Sequence, residues 1–130
     1  MYKRQEDENR AVRFAAAAAL GQLGEHAAPA VPQLTKYLED ENRAVREAAA
    51  EALKQLGEHA APAVPQLAKC LEDKAGSVRN AAAGALGNLG EHAAPAVPQL
   101  TKYLEDGEEN VRRAAADALG KLGEHAASGG

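Results

Sequence analysis

The chain has no tryptophan, one phenylalanine, one methionine and one cysteine among its 130 residues, and its aromatic content is 3%. The lone Cys70 excludes an internal disulfide and cannot build a thiolate cluster by itself, which fits a reducing compartment. With so few rings, a wide core gap cannot be filled. The helices must therefore approach closely, near the short end of the roughly 8–10 Å interaxial range. An excess of positive charge is also missing. The formal net charge is -4, acidic and basic residues are interleaved, and no basic stripe marks a phosphate-binding face, so a nucleic-acid partner is not expected. No apolar run approaches the roughly 18 residues of a membrane span. The opening Met1–Asp7 is too polar for a signal peptide. These features predict a soluble, cytoplasmic protein with no membrane partner.

What the chain has is repetition. The phrase Leu-Gly-Glu-His-Ala-Ala-Pro-Ala-Val-Pro-Gln-Leu runs from Leu23 to Leu34, recurs unchanged from Leu56 to Leu67 and from Leu89 to Leu100, and starts again at Leu122 before breaking off after Ala127. His26, His59, His92 and His125 fall 33 residues apart, as do Val12, Val45, Val78 and Val111, so one period runs from end to end. Each period carries two helix patterns. In the second copy Asn42 is an N-cap, Val45, Ala49, Ala52, Leu53 and Leu56 recur at helical spacing, and Gly57 is a left-handed stop. Pro62 and Pro65 then fit only in or before the first turn of a shorter helix carrying Val64, Leu67 and Leu71. Asn9 is the matching cap in the first copy. The third and fourth copies have Ala75 and Glu108 there, which predicts weaker or shifted caps such as Ser77 or Asn110.

Neither helix can bury its stripe alone, so the units must stack into an all-α solenoid of about four 33-residue hairpins. The expected organisation is one solenoid over residues 1–127, with repeats at about 7–39, 40–72, 73–105 and 106–127, and a flexible tail at 128–130. Long helices begin near Arg10, Arg43, Ser77 and Asn110, short helices occur three times, and Met1–Glu6 read as a polar remnant of a fourth. Both ends are thus long helices without a polar capping repeat, which predicts a homo-oligomer formed through the terminal repeats unless the chain belongs to a longer array.

Residues choose among families that share such a period. Val45-Arg46-Glu47-Ala48-Ala49-Ala50-Glu51-Ala52-Leu53 and Ala63-Val64-Pro65-Gln66-Leu67 resemble the two helices of a HEAT repeat, and the resemblance covers nearly the whole chain. It is similar in particular to the short repeats of the phycocyanobilin lyase HEAT-like group and to consensus arrays of that type. The resemblance implies a ladder between repeats, pairing Asp7, Asp40, Asp73 and Asp106 with Arg13, Arg46, Arg79 and Arg112, whose role is structural. It also implies that the second helix lines a concave, partner-facing surface. Near-identical copies suit recent duplication or an engineered consensus protein without a native function; Cys70 and the Lys74-Ala75-Gly76 loop favour a natural sequence.

Chemistry is harder to find than surface. Stacked helices sit roughly 10 Å apart, so the four histidines cannot share a metal at a bond of about 2 Å and form a ladder, each ring bonded to local backbone. No metal or cofactor is expected. Hydroxyl residues are too few for a nucleophilic triad, and the carboxylates follow helix surfaces. Cys70 replaces Tyr37 and Tyr103 at a half-buried wall position, and Gly21, Gly87 and Gly120 suit close helix approach or fraying. On a helical wheel, registers 47, 51 and 54 point away from the core stripe, and there the copies differ most. The expected partner-binding grid is Phe14, Ala18, Glu47, Glu51, Lys54, Asn80, Arg113 and Asp117, with Phe14 as an aromatic anchor. The function expected is a non-catalytic scaffold binding a protein partner on that face. A bilin lyase-like or other small-molecule enzyme is the alternative.

Overall fold

The computed structural model describes the backbone of residues 2–129 and the side chains of residues 9–124. Four long helices, α1 (Tyr2–Gln22), α3 (Arg43–Leu56), α5 (Gly76–Gly87) and α7 (Glu109–Gly129), alternate with three short ones, α2 (Val31–Tyr37), α4 (Val64–Cys70) and α6 (Val97–Lys102). The conserved-looking Gly-Glu-His-Ala-Ala-Pro-Ala run forms a 3-10 turn at Gly24–Ala30, Gly57–Ala63 and Gly90–Ala96. Its proline sits inside that turn, and the second proline falls in the first turn of each short helix, where a missing N–H costs nothing. The chain is an all-α solenoid of helical hairpins.

In α3 local sequence and packing agree. Asn42, extended at φ −91° and ψ 125°, accepts the Val45 N–H on its side chain at 3.1 Å. Val45, Ala49 and Leu53 are fully buried, and each buried Leu contributes about 2 kcal/mol. Gly57 ends the helix at φ 56°, a backbone conformation that any side chain would strain. The long helices stack α1 on α3, α3 on α5 and α5 on α7, while α2, α4 and α6 pack against the long helix of the following repeat. One apolar core therefore runs between the two layers, with Leu34, Leu67, Leu71, Leu86, Leu89 and Leu100 fully enclosed.

The structure corrects several local expectations. Asn9 does not cap a helix: α1 runs through it from Tyr2, because Tyr2–Glu8 are mostly good helix formers and carry no copy of the short-helix phrase that would force a turn. The expected remnant at Met1–Glu6 is accordingly part of α1 from Tyr2 onward, and Met1 lies outside the described residues. The caps of α5 and α7 do not shift to Ser77 or Asn110. Helix α5 starts at Gly76 with Ala75 in the capping position and no side-chain cap, and α7 starts at Glu109. The loop, not a cap residue, sets these starts: the Asn42, Ala75 and Glu108 N–H groups each donate to the preceding aspartate, Asp40, Asp73 or Asp106, at 2.8–2.9 Å. Helix α7 also continues through Leu122–Ala127 and on through Ser128 and Gly129. The same six residues turn in the other three copies, where a proline and a docked short helix follow.

Candidate functional site

Two sets of side chains stand out: one crosses from each hairpin to the next, and the other lines grooves between the long helices. The first is the arginine–aspartate ladder. Arg13 donates to both carboxylate oxygens of Asp40 (2.6 and 3.2 Å), Arg46 to Asp73 (2.8 and 3.2 Å) and Arg79 to Asp106 (2.9 and 3.2 Å). Each is a bidentate fork, the geometry that makes arginine rather than lysine suit the register. Arg46 and Arg79 also donate to the carbonyls of Asp40 and Asp73, tying a helix to the loop before it. In α7, among the described residues, Arg112 keeps only its bond to the Asp106 carbonyl, at 2.8 Å. Asp7 lies outside the residues whose side chains are described.

The ladder is enclosed enough to matter electrostatically. The Asp106 side chain is 7% exposed; burial opposes its ionisation, but the Glu108 N–H and the Arg79 guanidinium outweigh that and hold the carboxyl below the usual range. The hydrogen bonds to Asp40 and Asp106 in turn raise the Arg13 and Arg79 guanidinium pKa values. The arrangement joins each hairpin to the next. It fastens repeats.

The second set lines the outer face of the long-helix layer, where two grooves adjoin. One, of about 540 Å³, lies between α1 and α3 and is lined by Phe14, Ala18, Glu47 and Glu51 over a floor of Ala17, Ala48 and Ala52. The other, of about 390 Å³, spans α3, α5 and α7 and is lined by Glu51, Lys54, Asn80, Arg113 and Asp117. Glu51 belongs to both. All eight residues singled out from register comparison thus line a trough made of these two adjoining grooves, with Phe14 46% exposed at its α1 end.

At Gly21 and Gly87, register 54 does not point to solvent as the wheel predicts, whereas Gly120 is open. Gly21 and Gly87 are buried: a Cβ on Gly21 would lie 3.0 Å from the Ala52 Cα, and one on Gly87 2.9 Å from the Ala118 Cα. Neighbouring long helices touch there, and the trough is the space that opens beyond the contact. Lys54 cannot enter such a contact, so its stem lies across Gly84, about 3.4 Å from where a Cβ would sit.

Register 55 was missed. Gln22, Gln55, Asn88 and Lys121 occupy it; Gln22 and Gln55 line the first groove and Lys121 the second. Asn88 donates to the Lys54 carbonyl at 3.2 Å and accepts from Lys121 Nζ at 2.9 Å, a second polar link between repeats. A wheel drawn with register 55 beside 51 would have found it, since the two lie about 40° apart.

Three of the histidines also depart from expectation, and the His125 side chain lies outside the described residues. His59 Nε2 faces the Glu25 carboxylate of the preceding repeat at 3.8 Å instead of bonding local backbone, and His26 and His92 are exposed. Among the described residues no group of three or more His, Cys, Asp or Glu is placed to hold a metal ion. Cys70 is more enclosed than its tyrosine counterparts, at 6% exposure. Burial, with Asp73 nearby, pushes its thiol up to about 11. No helix among the described residues is long and apolar enough to cross a membrane.

The architecture and the residues that fasten it define a class, the α-solenoid scaffolds built from stacked helical hairpins. The model for HEAT repeats matches the chain over residues 2–87 and 64–128, and the chain belongs to that family. No curated protein matches it. Among solved structures it is similar to an engineered protein at 27% identity and a TM-score of 0.74, over 88% of this chain and 57% of that one. It is also similar to the complex of CpcE and CpcF of phycocyanin lyase from Nostoc sp. PCC7120, at 32% identity and a TM-score of 0.70, over 85% of this chain and 68% of that one. A designed armadillo repeat protein in complex with the peptide (KR)4 shares the fold at 20% identity and a TM-score of 0.67, with 86% of this chain and 62% of that one covered.

Proposed function

We propose that this chain is a non-catalytic scaffold whose long-helix face holds an extended segment of a partner protein. The observation that carries this reading is the trough itself. Its lining is the part of the repeat that changes from copy to copy, whereas the ladder and the short-helix phrase do not change. An exposed Phe14 beside a floor of Cβ methyls supplies apolar area that a partner would remove from water, about 25 cal/mol per Å². Selection of displayed random peptides on the intact chain tests it. Binders should lose affinity for the Phe14→Ala variant while its melting is unchanged, and a selection that yields no Phe14-dependent binder counts against the reading.

A second reading, self-association, is favoured by the core-register positions of α1 and the residue that follows it. Val12 is 67% exposed and Leu23 53% exposed, although their counterparts Val45, Val78, Val111 and Leu89 are fully buried and Leu56 is 3% exposed. In the interior that stripe is covered by the preceding short helix. On α1 no described residue covers it, and a second copy of the chain is one occupant with complementary packing.

A further inference from the structure

The trough between α1 and α3 has a composition that narrows what it accepts. Its floor is alanine, which takes aliphatic carbon but offers no hydrogen bond. One side carries the Phe14 ring and the other carries Glu47 and Glu51. Glu51 is exposed and pairs with no described cation, because the Lys54 stem is laid across Gly84 toward the second groove. Glu47 has only a loose contact with Arg43 at 3.7 Å, with both side chains well exposed.

From these features we propose that this trough is a subsite for one arginine or lysine side chain of a partner segment. The aliphatic stem would lie over the Ala17, Ala48 and Ala52 floor against Phe14 and Ala18, and the cation would sit at Glu51 with Glu47 alongside. This rests on the docking reading above and specifies the partner's chemistry. Arginine and lysine are the side chains that combine a long apolar stem with a cationic head. An aromatic face adds attraction for that head where water is partly excluded. A purely apolar side chain would leave the Glu51 carboxylate to be desolvated without compensation, and an acidic one would be repelled. The second groove does not share this character, since Lys54, Arg113 and Lys121 line it together with Glu51 and Asp117. The subsite therefore gives a bound segment a direction, with its basic residue at the α1 end.

The test uses the intact chain and a fluorescent short peptide of alternating arginine and leucine, alongside the same peptide with citrulline in place of arginine. Citrulline keeps the shape and removes the charge. The arginine peptide should bind about two- to fivefold tighter than the citrulline one, in line with a partly exposed charge pair. Glu51→Gln should erase that preference. Glu58→Gln with Glu91→Gln alters carboxylates in the exposed 3-10 turns and should leave the preference in place. If that control pair erases it too, attraction to the net negative chain explains the binding and the subsite is overturned. Equal, Phe14-dependent binding of both peptides would overturn the cation subsite and leave the docking reading standing. Binding of neither peptide would remove both.

Discussion

The ladder gives an internal comparison, because Arg46 and Arg112 occupy the same register and differ in what they reach. Arg46 donates twice to Asp73 and also to the carbonyls of Asp40 and Glu41, with the arginine and aspartate side chains each 12% exposed. Arg112 makes one bond, to the Asp106 carbonyl. Truncating Arg46 removes all four of these bonds, two of them to the carboxylate, and strands a mostly enclosed Asp73 side chain, which still accepts from Ala75 N–H at 2.9 Å. The expected cost is about 2–4 kcal/mol. Arg112→Ala should cost about 0.5–1 kcal/mol, the net worth of one exposed hydrogen bond. Urea unfolding followed by far-UV circular dichroism would resolve the difference. Arg13→Ala controls for position, since α1 is terminal like α7 but Arg13 does reach an aspartate, at 2.6 Å; it should rank above Arg112→Ala. A cycle of Arg46→Ala with Asp73→Ala should show coupling of at least about 1 kcal/mol. If Arg112→Ala costs as much as Arg46→Ala, or the cycle is additive, the aspartate fork is not what fastens the repeats.

The glycines at register 54 should respond with opposite signs. Gly120 has open space around it, so Gly120→Ala should stabilise by up to about 1 kcal/mol through helix propensity, whereas Gly87→Ala would drive a Cβ into the α7 backbone and should lower the melting temperature. Equal shifts would show that the close approach of α5 and α7 is not real. Acid should expose the third rung: the folded pKa of Asp106 lies below its ordinary value of 3.8, so the stability it contributes is complete above that value and is lost as pH falls through the folded one. Asp106→Asn should flatten that part of a stability–pH curve, and an unchanged curve would contradict the assignment. For self-association, sedimentation velocity should show a concentration-dependent dimer or larger species that Val12→Asp with Leu23→Asp abolishes; a strict monomer at high concentration rules out that reading.

Periodicity made the fold legible because each repeat poses the same problem and solves it the same way. Val45, Ala49 and Leu53 announce a buried stripe by spacing alone, and Gly57 and Pro65 mark where one helix stops and the next begins. What spacing could not convey is that identical words change meaning at the ends. Leu122–Ala127 repeat Leu23–Ala28 residue for residue, yet they continue α7 because no Pro-Ala-Val-Pro-Gln-Leu follows to fold back and bury. Val12 repeats Val45 and lies in water because no short helix covers it. The trough was legible for a related reason. A face that packs against nothing is free to vary, so comparing copies found Phe14, Glu47 and Glu51 without any knowledge of distances. The comparison failed at register 54, where Gly21 and Gly87 vary from Lys54 for a steric cause: helix axes cross closely at that height, and the wheel of one helix carries no trace of its neighbour. Variation between repeats thus marks two different things, a surface open to a partner and a contact that admits only the smallest side chain. Only the position of the adjacent helix separates them.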